Sequence, residues 1–286
     1  MDELLTLAAA RDYARREAQA GSSVVLVPTM GGLHEGHRSL IRLAHENGNR
    51  VVVSIFVNPT QFGPHEDYTR YPRTPEQDLE TCRAENVHAV FMPTAEDMYA
   101  PSHSIYVADD EIGHILEGES RRGHFRGVLT VVAKLFLAVQ PQAAVFGRKD
   151  AQQLWLIRRM VRDLNFPVEL IEADTVRESD GLALSSRNVY LTEDQRRQAV
   201  CLSQALRLAA EKFQAGERNA YLLRKDMMDV IDAHPDAEMD YIEIVDAESF
   251  APVTSLLKPA LALLAVRVGN TRLIDNAPLA EGVDAV

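Results

Sequence analysis

The stretch from Val24 to Val57 restricts the fold of this chain more than any other. Val24-Val25-Leu26-Val27 is a short, wholly apolar run, the pattern of a strand covered on both faces. Pro28 is expected to stop it, and the pair Gly31-Gly32 to supply a sharp turn where backbone can approach a ligand. His34 to Glu46 puts Leu40, Ile41 and Ala44 on one face at helical spacing, with Gly48 as the end signal. Val51 to Val57 reads as a second buried strand. Strand, turn, helix and strand make a βαβ unit, the building block of parallel sheets with helices on both faces.

The chemistry of this stretch lies in His34 and His37. Three residues apart at a helix start, both rings can face the space outside the carboxyl end of the strand. The helix there is expected to offer unpaired N–H groups and a partial positive charge, a seat for phosphate. Two imidazoles in that seat can donate hydrogen bonds as charge accumulates on a phosphoryl group. A zinc-protease helix needs its histidines four apart, so that spacing fails. Gly31 and Gly36 have P-loop spacing, but His37-Arg38 replaces the lysine and hydroxyl that a P-loop requires. A tight turn with two solvated histidines is the plainest alternative.

Composition narrows the partners. The 286 residues are 46% hydrophobic and 25% charged, values typical of a soluble protein of one or two domains. A net charge of −12 argues against nucleic acid or an anionic membrane as partner. Cys82 and Cys201 have no metal-binding spacing and suggest a reducing compartment. The acidic start Met1-Asp2-Glu3 leads into a helix read from Leu4 to Ala20 and lacks the character of a signal peptide. No apolar run approaches the ~20 residues of a bilayer span. A cytoplasmic protein is expected.

Further along, Asn58-Pro59-Thr60-Gln61-Phe62-Gly63-Pro64 leaves the second strand at the same sheet edge, so Asn58 and Gln61 should face the same crevice. A glutamine offers donors and acceptors for a substrate with hydroxyls and a carboxylate. A helix is read from Glu76 to Glu85, a strand over His88 to Met92, and another over Ile105 to Val107. Glu119 to Gly127 is the most basic stretch of an acidic chain, a candidate anion-collecting lip; a very apolar helix, Val128 to Val139, follows. Ala143 to Gly147 is a strand, and Arg148-Lys149-Asp150 opens a helix reaching about Asn165, with Lys149 beside any phosphate that its start attracts. Gln153 lies one turn in. Val168 to Ile171 closes the sheet.

Asp174 to Asn188 reads as a domain junction, within which Ser185-Ser186-Arg187 gives two hydroxyls and a guanidinium fork suited to phosphate oxygens. Thr192 and Gln195 make a capping box for a long helix to about Gln214. A helix from Asn219 to Ala233, strands over Asp240–Val245 and Leu261–Val268, and a terminal Arg272-Leu273-Ile274-Asp275 complete the chain. The expected fold is α/β: a Rossmann-like doubly wound parallel sheet over residues 1–175, then a smaller α+β lid domain over 176–286.

Pro28 to His37 resembles the signature of the pantoate–β-alanine ligase family, with His34-Glu35-Gly36-His37 as its HxGH motif, shared more widely by nucleotidyltransferases. The segments Arg121 to Gly127, Phe146 to Gln153 and Gly181 to Asn188 resemble further family motifs. They depart at Arg122 (proline in the family), Arg148 (acidic or neutral), Ala151 (tyrosine) and Leu184 (methionine). The resemblance implies ATP-dependent condensation of (R)-pantoate with β-alanine through a pantoyl adenylate, with ATP as substrate, Mg²⁺ as cofactor and a homodimer. It implies His37, His34 and Lys149 as catalytic. ATP contacts are implied for Met30, Gly31, Gly32, Leu33, Glu35, Gly36, Gly147, Arg148, Asp150 and Val176, and for Leu184, Ser185, Ser186 and Arg187, the counterpart of the mobile KMSKS loop of synthetases. Gln61 is implied to contact pantoate and β-alanine, Gln153 to contact pantoate, Asn58 to bind substrate, and Asp78 to hold magnesium. A plain nucleotidyltransferase and a non-catalytic nucleotide sensor are the competing readings.

Overall fold

A computed structural model describes residues 1–64 and 66–280. The chain forms two compact units, one of Met1–Arg148 with Gln152–Asp174, the other of Lys149–Ala151 with the chain from Thr175 on.

Among the described residues, the first unit carries one six-stranded sheet, all parallel. Its strands are β1 (Asp2–Leu4), β2 (Val24–Thr29), β3 (Arg50–Ile55), β4 (Ala89–Phe91), β5 (Ala143–Gly147) and β6 (Glu169–Ala173), in spatial order β1-β4-β3-β2-β5-β6. The helices are α1 (Leu7–Gln19), α2 (Glu35–Asn47), α3 (Pro75–Ala84), the single turns α4 (Ala95–Met98) and α5 (Glu117–Ser120), α6 (His124–Val139) and α7 (Ala151–Asp163). Alternation along β2 serves two cores at once. Val24 and Leu26 join Tyr13 of α1, Leu129 of α6 and Ile157 of α7. Val25 and Val27 join Ile41 and Ala44 of α2 and Cys82 of α3. The sheet is therefore doubly wound, as the apolar runs imply.

Three local expectations are corrected. Residues 2–4 are an edge strand and the first helix begins at Leu7, because the Thr6 hydroxyl accepts from Ala9 N–H as N-cap. Pro28 does not stop β2, which runs to Thr29. The Thr29 carbonyl accepts from Phe56 N–H on the β3 side. By alternation the donor that Pro28 lacks falls on the β5 side, where pairing already ends at Leu26. Ile105 to Val107 forms no strand, and Val107 N–H bonds instead to the Thr130 hydroxyl of α6.

In the second unit, α8 (Glu193–Ala199), α9 (Cys201–Gln214) and α10 (Ala220–Asp232) accompany an antiparallel sheet of β7 (Ala237–Asp246), β8 (Ala260–Val268) and β9 (Thr271–Leu279). Its core gathers Leu202 and Leu206 of α9, Leu223 and Met227 of α10, and Ala262, Leu264 and Val266 of β8. The Thr192–Gln195 capping box forms as expected. The long helix it begins is interrupted at Val200, whose carbonyl accepts from the Ser203 hydroxyl, a bond that bends helices.

Candidate active site

Topology places a crevice in the first unit. β3 and β4 lie on one side of β2, β5 and β6 on the other, so winding reverses at the β2–β5 boundary. Loops leaving the carboxyl ends of these two strands diverge there. Met30 to His34 leaves β2, and Gly147-Arg148 leaves β5.

Gly31 and Gly32 both take left-handed backbone, φ +82° and +61°. A side chain would be strained there, which explains the glycine pair. The Thr29 hydroxyl donates to the Ser54 carbonyl (2.7 Å) and accepts from Gly31 N–H (3.2 Å), so the end of β2 holds the turn. His34 is the N-cap of α2. Its Nδ1 accepts from Gly36 N–H (3.2 Å), and His37 Nδ1 accepts from His34 N–H (3.3 Å). A backbone N–H can only donate, so each Nδ1 is an acceptor and the neutral rings carry their protons on Nε2. The ring centroids are 4.1 Å apart. Two Nε2–H donors thus stand side by side at the crevice.

The expected unpaired amides are a different matter. Gly31, Gly32, Leu33, His34, Gly36 and His37 all donate their N–H within the chain. The helix start is capped by its own histidines, and the phosphate-seeking groups are ring N–H donors. Glu35 pairs with Arg38 and Arg42 along α2.

Asp78, expected at magnesium, sits on α3 and is 1% exposed. Its Oδ2 accepts from Gly32 N–H (3.0 Å) and its Oδ1 from Leu33 N–H (2.8 Å) and the Thr74 hydroxyl (3.3 Å). Magnesium demands near-octahedral oxygen ligation with retained waters. A buried carboxylate bonded on both oxygens does not fit, and among the described residues no three His, Cys, Asp or Glu side chains gather as a metal site.

Asn58, expected to bind substrate, is held by the chain around it. It is 1% exposed, and two backbone groups fix its amide: Oδ1 accepts from Thr60 N–H (3.3 Å) and Nδ2 donates to the Gly127 carbonyl (3.1 Å). Tyr99 and Thr60 hydroxyls also donate to Oδ1. Nδ2 then donates to Gln61 Oε1 (3.0 Å), which turns the Gln61 NH₂ toward Met30 Sδ (3.0 Å). These bonds make Asn58 the group that orients the Gln61 amide. Burial pushes the Tyr99 phenol above its ordinary value, so it stays protonated and donates.

Part of the basic lip is neutralised internally. Arg121 pairs with Glu66 (2.6 Å) and donates to His124 Nε2 (3.0 Å), while His124 Nδ1 donates to the Gln61 carbonyl (2.8 Å). Arg126 lies over the Tyr106 ring. Arg122 is exposed. Arg148 pairs with Glu172 (3.2 Å) and Asp174 (2.6 Å). Gln153 is half-buried in the first turn of α7, next to Gln152, which is buried and holds the Ile112 and Ile115 carbonyls and Glu117 N–H.

In the second unit, Lys149 Nζ lies 3.7 Å from Asp150, and its carbonyl accepts from Asn276 Nδ2 (2.8 Å). Val176 and Leu184 are joined by a backbone bond (2.9 Å), and Arg177 pairs with Ala183 across the loop that turns at Gly181, φ +93°. Ser185 Oγ accepts from Arg187 N–H (3.2 Å), which caps a 3₁₀ turn over Ser186–Tyr190. An accepting hydroxyl keeps its own proton to donate.

Comparison with known proteins is decisive. A family model described as pantoate-β-alanine ligase matches residues 3–278. The chain belongs to the pantoate–β-alanine ligase family. Pantothenate synthetase of Moorella thermoacetica is 53% identical over 279 residues, 98% of this chain and 99% of that one. The crystal structure of pantothenate synthetase from Thermus thermophilus superposes with a TM-score of 0.93 at 44% identity, covering 98% and 99% of the two chains. Pantoate–β-alanine ligase from Francisella tularensis, complexed with β-γ ATP and β-alanine, gives 0.79 at 33% identity and 99% coverage of both.

As a member of the pantoate–β-alanine ligase family the chain is a carbon–nitrogen ligase, and its parallel sheet with a separate antiparallel sheet is that of the family. The family motifs supply the glycine turn and both histidines. They do not reveal the Asp78 bonds or the Tyr99–Asn58–Gln61 chain, because Asp78 and Tyr99 reach partners more than 40 residues away in sequence. The signal available was the company each residue keeps: an acid on the buried side of α3, and an Asn-Pro start to a loop.

Proposed function

We propose that the chain condenses (R)-pantoate with β-alanine through an enzyme-bound pantoyl adenylate, releasing pyrophosphate and then AMP. A carboxylate does not react with an amine directly because oxide would have to leave; adenylation makes AMP the leaving group. The observation that carries the reading is the pair of Nε2–H donors at the strand-end crevice, fixed by two Nδ1 acceptors. Such donors suit the charge that grows on the triphosphate as the pantoate carboxylate attacks the α-phosphorus.

In this reading Gln61 presents its NH₂ to pantoate, and Gln153 adds a second amide, so that the carboxylate is held for in-line attack. Lys149, Ser185, Ser186 and Arg187 act on the β- and γ-phosphates, with Met30, Gly147, Val176 and Leu184 against the nucleotide. Mg²⁺ arrives on the triphosphate as part of the substrate. The amine of β-alanine then attacks the acyl carbon, the amide forms and AMP leaves with the former carboxylate oxygen. No protein side chain serves as nucleophile.

Incubation with ATP, Mg²⁺ and (R)-pantoate should give exchange of labelled pyrophosphate into ATP, and β-alanine should then release AMP and pantothenate in equal amounts. A plain nucleotidyltransferase would form no AMP, and a nucleotide sensor would show no pantoate-dependent exchange. We further read the chain as a cytoplasmic homodimer, consistent with family resemblance and with Cys82 and Cys201 as free thiols. Light scattering at micromolar concentration tests the dimer. Among the described residues no helix is long and apolar enough to cross a membrane.

A further inference from the structure

We propose that Asp78 is a positioning residue that sets the histidine turn, and not a ligand of magnesium. A turn that points successive N–H groups to one side forms a concavity that attracts an anion. Gly31 and Gly32 make that arrangement, and the anion filling it is the chain's own carboxylate, with Gly32 N–H on Oδ2 and Leu33 N–H on Oδ1. The fit is close: a Cβ on Gly31 would lie 2.9 Å from Oδ2.

Asp78 is itself held. Its N–H bonds to the Thr74 carbonyl (2.8 Å) at the start of α3, and the Thr74 hydroxyl donates to Oδ1. The consequence runs along the chain. Leu33 is followed by His34, whose N–H must reach His37 Nδ1 and whose Nδ1 must receive Gly36 N–H for both rings to present Nε2–H. A carboxylate suits this place because it is acceptor-only, one oxygen per amide. Asparagine has nearly the same shape but sets an NH₂ against one of the two N–H groups, leaving that donor unsatisfied.

The catalytic consequence rests on the adenylation reading, so the test has an arm that needs no substrate. In Asp78→Asn, amide hydrogen exchange at Gly32, Leu33 or both should quicken about tenfold or more in the free protein. ATP binding should weaken about tenfold both with Mg²⁺ and in excess EDTA, by the same factor within about twofold. A metal ligand would weaken only the Mg²⁺ form. Unchanged exchange at both amides, or weakening confined to the Mg²⁺ form, overturns the proposal. Should Asp78→Asn not fold, Thr74→Val removes a donor to Oδ1 without removing a helix cap, since Thr74 makes no side-chain cap bond. It should raise Leu33 exchange about threefold, and no change there overturns the proposal equally. Failure of the wild-type chain to form pantothenate would count against the ligase reading alone, because the exchange measurement stands without substrate.

Discussion

His37→Ala removes one of two ring donors and also the acceptor for His34 N–H. It should slow pantoate-dependent pyrophosphate exchange on the order of 10²-fold, comparable to loss of an oxyanion donor. Steady-state exchange rates check this, and a fall below about threefold would remove the ring from the chemistry. At this scale the site was only partly legible. The spacing of His34 and His37 gave their location and direction, because three residues at a helix start share a face. Their occupation as the helix's own cap was not legible, since a sequence pattern does not say which nitrogen accepts. The bonds of Asp78 and Asn58 were not legible for a related reason. The type of a side chain does not name its partners in the fold, here Gly32, Leu33 and Gly127.

Elements pack closely where a side chain is missing. A Cβ on Gly127 of α6 would lie 2.3 Å from the Thr60 carbonyl oxygen and 2.6 Å from Gln61 Cα. Helix α6 can therefore approach the turn Pro59–Gln61 only with glycine at that position. Gly127→Ala should push the turn away, cost about 1–3 kcal/mol of stability and raise the KM for pantoate more than that for ATP. Urea unfolding and separate substrate titrations measure both. The longer elements were readable because apolar periodicity reports a buried face directly: β2, β3, α2, α6 and β8 all lie within a few residues of expectation. The three-residue β1 is too short for any period to register, and each of its residues pairs with one 87 positions along, as Asp2 with Ala89 (89 − 2 = 87). The interruption at Val200, where the Ser203 hydroxyl bonds to the carbonyl, leaves no mark in the apolar pattern.

Across the whole molecule the net charge is −12. Many arginines are tied to carboxylates, and Glu85 shows how stability follows. Arg42, then Arg38, hydrogen-bond its carboxyl and hold it below the ordinary 4.5. A carboxyl lowered in the folded state contributes stability that is complete above the unfolded value and is lost as pH falls through the folded one. Glu85→Gln should therefore be less stable than wild type near pH 7, with the difference shrinking below about pH 4.5. Urea midpoints measured at intervals between these pH values give the comparison.

Each unit also hides one thiol, Cys82 in the first and Cys201 in the second, both fully buried and pushed up by burial to about 12. Neither should react with an aromatic disulfide reagent at mild alkaline pH until the chain unfolds, a rate readily followed by absorbance. The native protein is thus chemically silent toward maleimide dyes. Cysteines placed at exposed Glu76 on α3 and Lys225 on α10 would be the two reactive handles, one per unit. Fluorophores attached there could report, in single molecules, any change of separation as nucleotide is added, with no background from the protein's own sulfur.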